Sequence, residues 1–308
     1  MTDHRDFASG PGMDHGLYPY SALPTRPALR WPNGKKLAVW VVLHLEQWRL
    51  QPPGAALQDA RFRGEFGNFF PDYRTYSTRE YGNRVGIFRL LEVLDRHEIP
   101  ITVAANAALC RERPQLIEDC LRRGYEIAAH GDDATRMISS KMSVAEETDF
   151  IHHAMAEVAK CSGAKRVGWI GQDFGESPRT PQLLAAAGAD YLGDWPNDDQ
   201  PYWLTLAPAL VSLPYHVEWD DSALMALRQL TAPRYGKLVM EAADRLVLDS
   251  VASGRMMSLG LHPWVIGQPH RIRYLGRILA HLRDKDGIWF ATAREIADSY
   301  RAQVSPPV

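Results

Sequence analysis

Cysteine is scarce in this chain: three occur in 308 residues, Cys110, Cys120 and Cys161, and no two stand in a Cys-x-x-Cys spacing. So sparse and odd a set excludes a disulfide-built scaffold and a cysteine zinc cluster, and it predicts reduced thiols in a cytoplasm. Long hydrophobic runs are missing too. Leu37–Leu43 is the longest clean one, far too short to cross a bilayer. No excess of one charge exists, since 35 Lys and Arg face 37 Asp and Glu for a net charge of −2, with the basic residues scattered. That pattern argues against nucleic acid and against a membrane surface as partners, and leaves a small-molecule substrate. The first twelve residues, MTDHRDFASGPG, have neither the basic start nor the apolar core of a secretory signal. No Gly-x-Ser-x-Gly elbow, phosphate-cradling loop or glycine-rich dinucleotide turn is present.

What is present alternates. Residues 1–30 form an aperiodic arm rich in Pro, Gly, Ser and Tyr, expected on the surface or against a neighbouring subunit. Residues 31–308 read as one catalytic domain. Lys36–Leu43 is an unalternated β-branched and aromatic run, the pattern of a strand buried on both faces, and it ends in His44-Leu45-Glu46. A long loop from Gln47 to about Tyr81 follows, and loops of that length serve as lids, binding loops or subunit contacts. Helix periodicity over Asn83–His97 is followed by strand and helix patterns in turn. The strands fall at Ile101–Ala104, Glu126–Ala129, Val167–Ile170, Tyr191–Gly193, Leu210–Leu213, Met256–Leu261 and Ile288–Ala291. Helices are expected at Pro114–Arg123, Val144–Lys160, Thr180–Ala187, Lys237–Ala252, Ile272–Arg283 and Ala293–Arg301. Ser143 with Glu146 predicts a capping box at the start of the second of these. Seven or eight strands, most followed by a helix, point to an α/β fold of the distorted (β/α)7 barrel type.

In such a barrel the carboxyl ends of the strands share one rim. The residues placed there are His44 and Glu46, Asn106, His130 with Asp132 and Asp133, Gln172 with Asp173, Asp194, and His262. A carboxylate and two imidazoles suffice for general acid and base chemistry, which makes Glu46, His130 and His262 the catalytic candidates. Each has a structural alternative: His130 beside Gly131 as a strand cap, Glu46 as a salt-bridged rim residue, His262-Pro263 as a strand stop. The loop Asn197–Trp203, with acids beside aromatics, is expected to supply a wall for a small polar ligand. His44, Gln172, Asp199, Tyr202 and Trp203 are accordingly the substrate-binding candidates.

Several stretches in this order carry a resemblance: WPNGKKLAVWVVLHLE at Trp31–Glu46, YGNRVGIFRLLEVLDRHEIPITVAANAA at Tyr81–Ala108, GYEIAAHG at Gly124–Gly131, VGWIGQ at Val167–Gln172, NDDQPYW at Asn197–Trp203, SLPY at Ser212–Tyr215 and LGLHPWVIGQPHR at Leu259–Arg271. The chain resembles the polysaccharide deacetylase (NodB-homology) superfamily, and more closely its cytoplasmic branch of PuuE-type allantoinases and imidase-like hydrolases. The resemblance implies hydrolysis of an amide-type carbon–nitrogen bond, a late-strand general acid at His262, and a homo-oligomer. Deacetylases of the superfamily hold a divalent metal with an aspartate after the first strand and a His-x-x-x-His pair. Here the first position reads His44-Leu45-Glu46, and Ala134 stands four residues beyond His130, where no lone pair is available. The superfamily's base-orienting arginine is also absent, with Gln172 or Asp173 in its neighbourhood. The expectation is therefore catalysis without a metal, the alternative being Zn2+ or another divalent metal on Glu46, His130 and Asp133. A metal-dependent N-deacetylase and a non-catalytic ligand-binding barrel are the competing readings.

Overall fold

The computed structural model describes residues 12–51 and 71–307. Its centre is strand β1, Leu37–Leu45, every residue of which is buried. β1 pairs in parallel with β2, Ile101–Ala105, and with β6, Arg255–Leu261, while β7, Ile288–Phe290, pairs with the early half of β1. β2 in turn pairs with β3, Glu126–Ala129. From β3 the sheet continues as single parallel bridges, Ala129 to Trp169, Trp169 to Leu192 and Leu192 to Ser212. The expected strands at Val167–Ile170 and Tyr191–Gly193 are thus reduced to one bridging residue each. A few backbone bonds hold them, such as Trp169 N to Tyr191 O and Leu192 N to Val211 O, both 2.9 Å. The stretch around residue 211 becomes β5, Val211–Ser212, and folds back antiparallel on β4, Tyr202–Trp203. Between β5 and β6 the ring closes through other bonds: Met256 N to Asp199 O at 2.7 Å and His216 N to Ser258 Oγ at 2.7 Å. The architecture is a distorted parallel α/β barrel.

Alternation along the strands sorts the core in two. Leu37, Val39, Val41, Leu43 and Leu45 face the surrounding helices. Ala38, Trp40 and Val42 face the interior, with Ala104, Ala128, Ile170 and Met256 from the other segments. Trp40 fills the barrel, edge-on to Tyr191 and Tyr215 at ring-centroid distances of 6.4 and 6.0 Å. The next inward positions beyond this apolar layer are His44, Asn106 and His130, and on the β6 side Ser258 and Gly260 lead to His262.

Of the expected loop Gln47–Tyr81, residues 52–70 lie outside the described residues, and its end is helix α1, Tyr73–Tyr81. YRTYSTREY carries no apolar stripe, so periodicity does not mark it. Its start is fixed by the Asp72 side chain accepting from Thr75 N at 3.0 Å. A π-helical turn, Gly82–Gly86, joins α1 to α2, Ile87–His97. A second unanticipated helix, α3, Ala107–Glu112, precedes α4, Pro114–Arg122. The capping box at Ser143 and Glu146 opens α5, Val144–Ser162, as expected. α7, Ala232–Asp249, begins five residues earlier than periodicity placed it, because Pro233 falls in the first turn, where no N–H is needed. α6, Thr180–Ala186, α8, Ile272–Arg283, and α9, Ala293–Arg301, complete the outer layer.

The expectation of three reduced thiols is corrected: Cys110 on α3 and Cys161 on α5 form a disulfide with Cα atoms 6.0 Å apart. Their 51-residue separation hid a proximity that the packing of the two helices creates. Cys120 remains free and buried, and burial pushes its thiol up to about 12. Among the described residues no helix is long and apolar enough to cross a membrane.

The π-helical turn lies directly against the loop after β6. A Cβ on Gly86 would come within 2.1 Å of the Pro263 carbonyl oxygen, and one on Gly82 within 2.8 Å of Trp264 N. Gly86→Ala is expected to lower stability by about 1–3 kcal/mol, because backbone must shift to admit the methyl. Urea denaturation with an unchanged midpoint would contradict this.

Candidate active site

At the end of β1, alternation directs His44 and then Glu46 into the mouth of the barrel. The Glu46 carboxylate is 7% exposed. Its Oε1 accepts from Gln172 Nε2 at 2.8 Å and its Oε2 from Trp48 Nε1 at 3.1 Å. Asn83, one turn beyond Arg79 along the helix, donates from Nδ2 to the Glu46 carbonyl at 2.7 Å. Asn106, ending β2, accepts from Gln47 N at 2.9 Å and donates to the His130 carbonyl, tying three strand ends together.

His130 brings Nε2 to 3.8 Å from Glu46 Oε1 and 3.5 Å from His44 Nδ1. Its Nδ1 lies 2.6 Å from the Ile170 carbonyl, which only accepts, so Nδ1 carries the proton. The same logic fixes His44. Tyr215 donates its hydroxyl hydrogen to Asp220 Oδ2 at 2.6 Å, so His44 Nε2, 2.8 Å away, is the donor to that hydroxyl oxygen and Nδ1 holds the lone pair. The Tyr215–Asp220 bond passes over Gly260, where a Cβ would come within 1.8 Å of the hydroxyl oxygen.

His262 follows β6 and stacks flat on His44, with centroids 4.2 Å apart and planes at 6°. Asp221 holds it from both sides, Oδ1 at 2.6 Å from Nδ1 and Oδ2 accepting from the backbone N at 2.9 Å. The charges of these stacked rings differ. Burial opposes charge on His262, but Asp220, Asp221 and Glu46 overcome it and raise its pKa to about 9. Burial, with His262 and His130 nearby, keeps His44 well below the usual histidine range. Burial alone would raise Glu46; the imidazoles of His130 and His262 and the Arg79 guanidinium outweigh it and hold the carboxyl well below its ordinary value. Burial pushes Asp221 up to about 6 against the pull of His262. At neutral pH the site therefore presents a carboxylate, an imidazolium and a neutral imidazole.

Glu46, His130, His262, His44 and Gln172 are thus brought together. Asp199, Tyr202 and Trp203 are not, and their expected place in the same pocket is corrected. Asp199 binds the second residue of β6 through its carbonyl, whereas His262 follows the last; at about 3.3 Å per residue the two ends lie some 20 Å apart. Trp203 donates to the Val304 carbonyl at 2.8 Å, and Tyr202 packs edge-on to Tyr18 of the arm. Both line a separate cavity of about 530 Å3 with Arg26, which pairs with Asp198 at 2.6 Å. The arm, described from residue 12, folds back on its own chain at this end. Tyr215, Asp220, Asp221 and Arg79 were not expected at the site. The only signal was SLPY followed by an acid pair, and its meaning depends on Tyr215 and Asp220 meeting His44 across the barrel.

Among the described residues only His44, Asp220 and His262 bring potential ligand atoms within 4.8 Å of one another. They do not fit an ion. Imidazole lone pairs lie in the ring plane, and two parallel stacked rings cannot aim them at one point between them. Asp220 is already engaged, its Oδ1 by Ser222 N, Ser222 Oγ and Ala223 N, its Oδ2 by Tyr215. The set Glu46, His130 and Asp133 does not converge either, because the Asp133 carboxylate turns to Thr135 and to Arg49, whose Nε is 3.5 Å away.

Residues 71–192 match the family model described as polysaccharide deacetylase. Over that stretch the chain is similar to the family. It is 26% identical over 310 residues to a polysaccharide deacetylase-type protein of Schizosaccharomyces pombe, covering 89% of this chain and 92% of that one. A Helicobacter pylori peptidoglycan deacetylase is 20% identical over 71% of this chain and 85% of its own. Among solved structures, a polysaccharide deacetylase-type protein of Pseudomonas aeruginosa superimposes with a TM-score of 0.81 at 26% identity, covering 94% of this chain and all of that one. PuuE allantoinase does so with a TM-score of 0.81 at 24% identity, covering 94% and 99%, which shows a shared fold.

The ionised His262–Asp221 pair exists between about pH 6 and about pH 9. Because the folded pKa of His262 is raised, the stability it contributes is complete below the ordinary histidine range and is lost as pH rises through about 9. Asp221→Asn removes one of the three charges that oppose burial, together with its hydrogen bond, so the His262 pKa is expected to fall from about 9. An imidazole NMR titration that stays near 9 in this variant would contradict the assignment.

Proposed function

We propose that the protein is a hydrolase of non-peptide carbon–nitrogen bonds that opens a small cyclic amide, ureide or imide without a metal. Support for the coarser part comes from the similarity of residues 71–192 to the polysaccharide deacetylase family, and for the ring-opening part from the allantoinase fold match and the side chains at the mouth of the barrel. One observation carries the reading: an ionised Glu46 and a protonated His262 share one mouth at neutral pH.

Glu46 Oε1 and His130 Nε2 stand 3.8 Å apart, and the attacking water is proposed to sit against Glu46 Oε1. Glu46 takes a proton from that water as its oxygen attacks the substrate carbonyl carbon. The C–N bond then breaks as His262 Nε2–H protonates the leaving nitrogen, giving a carboxylic acid and a free N–H group. Asp221 stabilises the imidazolium beforehand and orients the ring. A carboxylate held so far below its usual range is a weak base, which favours the activated carbonyl of a ureide or imide over an ordinary acetamide. The names of the relatives favour N-deacetylation as the second reading. The poor fit of a metal counts against it. A cytoplasmic small-molecule enzyme acting as a homo-oligomer is the setting we propose.

Turnover should be measured on allantoin, hydantoin, succinimide and N-acetylglucosamine oligomers. Opening of a cyclic substrate, undiminished by EDTA, is expected, with a plateau between about pH 6 and about pH 9. Glu46→Gln should lower kcat by about 10²–10⁴. Activity abolished by EDTA and restored by Zn2+ would overturn the metal-free reading, and identical rates for wild type and Glu46→Gln would overturn the catalytic one.

A further inference from the structure

One covalent cross-link takes no part in the chemistry at the mouth of the barrel. Cys110 and Cys161 are joined in a chain of 308 residues whose barrel already buries a large apolar core. A fold of that size can be held by its core alone. In the cytoplasmic setting proposed above, a lone disulfide is more often a redox-responsive bond than a scaffold.

The two ends of this bond bracket the segment that carries His130. Cys110 lies in α3, which starts directly after Asn106. Asn106 donates to the His130 carbonyl, and the first amides of α3, Ala107 N and Ala108 N, donate to the carbonyls of Gly131 and Asp132 at 3.0 and 2.8 Å. Cys161 lies in the last turn of α5, the helix that Ser143 opens where the same segment ends. The bond thus fixes α3 to α5 around a 51-residue separation with His130 inside it. Polar ties between these elements run through Arg111, which reaches Asp132 at 3.0 Å and Glu157 at 3.9 Å, and partly exposed pairs of that kind contribute little.

Access differs between the two cysteines. Cys110 is 6% exposed, whereas Cys161 is only half-buried at its helix end. Exchange starts when a thiolate attacks one sulfur of the bond, so the more open end is the one attacked. Cys120 does not compete, because it is buried and its pKa is pushed up to about 12.

From this placement we infer that Cys110–Cys161 is a redox switch on the His130 segment, opened at Cys161 by a low-molecular-weight thiol of the glutathione class. The thiolate bonds to Cys161 Sγ, the S–S bond breaks, and its electron pair leaves on Cys110 Sγ, which takes up a proton. A second small thiol then displaces the first as a disulfide, so two small thiols are oxidised and two cysteine thiols are formed. Opening the bond frees α3 from α5 and loosens the hold of Asn106, Ala107 and Ala108 on the segment after β3. The switch shares only its cytoplasmic setting with the hydrolytic reading and acts on the site whatever bond is cleaved there.

The test uses the full chain, purified without reductant and equilibrated in glutathione buffers of graded redox ratio. Free thiols are then blocked with N-ethylmaleimide and mapped by peptide mass spectrometry. Cys110 and Cys161 should be linked in the oxidising buffers and blocked in the reducing ones, with the glutathione adduct at intermediate ratios on Cys161. Hydrogen exchange of the Ala107 and Ala108 amides should speed at least about tenfold on reduction, while amides in α8 keep their rate. Cys161→Ser should exchange at the reduced rate in both buffers; if it does not fold, wild type in the two buffers decides. Thiols blocked even in the most oxidising buffer, an adduct confined to Cys110, or equal exchange at Ala107 and Ala108 in both states would overturn the inference. None of these readouts needs turnover, so failure of the hydrolytic reading would leave them standing.

Discussion

Side chains on a β-strand alternate between two faces, and β1 turns that alternation into a site. Once Trp40 is committed to the barrel interior, His44 must follow on the same face two steps later, with Glu46 beyond it at the mouth. β2, β3 and β6 obey the same rule, sending Ala104 and Asn106, Ala128 and His130, and Met256 through His262 inward. The apolar lower layer and the polar upper layer are two levels of one stack. The register of β1 against β2 and β6 therefore sets which ionisable groups meet, and a slip of one residue would send all of them into the helix layer.

Placing so many polar groups under low exposure is costly unless each has a partner, and the partners decide the charges. Asp221 closes both oxygens on His262, and the imidazolium forms. Tyr215, itself tied to Asp220, accepts from His44, which stays neutral beside its charged neighbour. Glu46 is surrounded by donors and cations and stays ionised. Burial acts on all three, so burial alone cannot explain why they differ. The difference lies in the sign of the nearest charge.

The fold and the side chains at its mouth belong to one picture. Ala134, four residues beyond His130, offers no lone pair to an ion. His44 then stacks on His262, which suits hydrogen bonding and proton transfer but not coordination, because parallel rings direct their lone pairs past any shared centre. At the other end of the strands, Tyr202, Trp203 and the arm build a separate cavity with no acid–base pair of this kind.

Much was determined by the sequence itself, and for local reasons. The unbroken apolar run of β1, the Ser143–Glu146 cap and the histidines at strand ends are written in consecutive residues, so the barrel class and four of the site's ionisable side chains, His44, Glu46, His130 and His262, were legible. Tertiary structure decided the rest. Asp199, Tyr202 and Trp203 have the composition of a ligand wall, but strand direction carries them to the far end. Cys110 and Cys161 meet only because α3 packs on α5. Arg79 sits on a helix with no apolar stripe, and Asp220, Asp221 and Tyr215 gain their meaning only across the barrel. Local patterning is fixed by forces between near neighbours in the chain, whereas a proton's position or a group's charge depends on atoms distant in sequence that folding alone brings within a few ångströms.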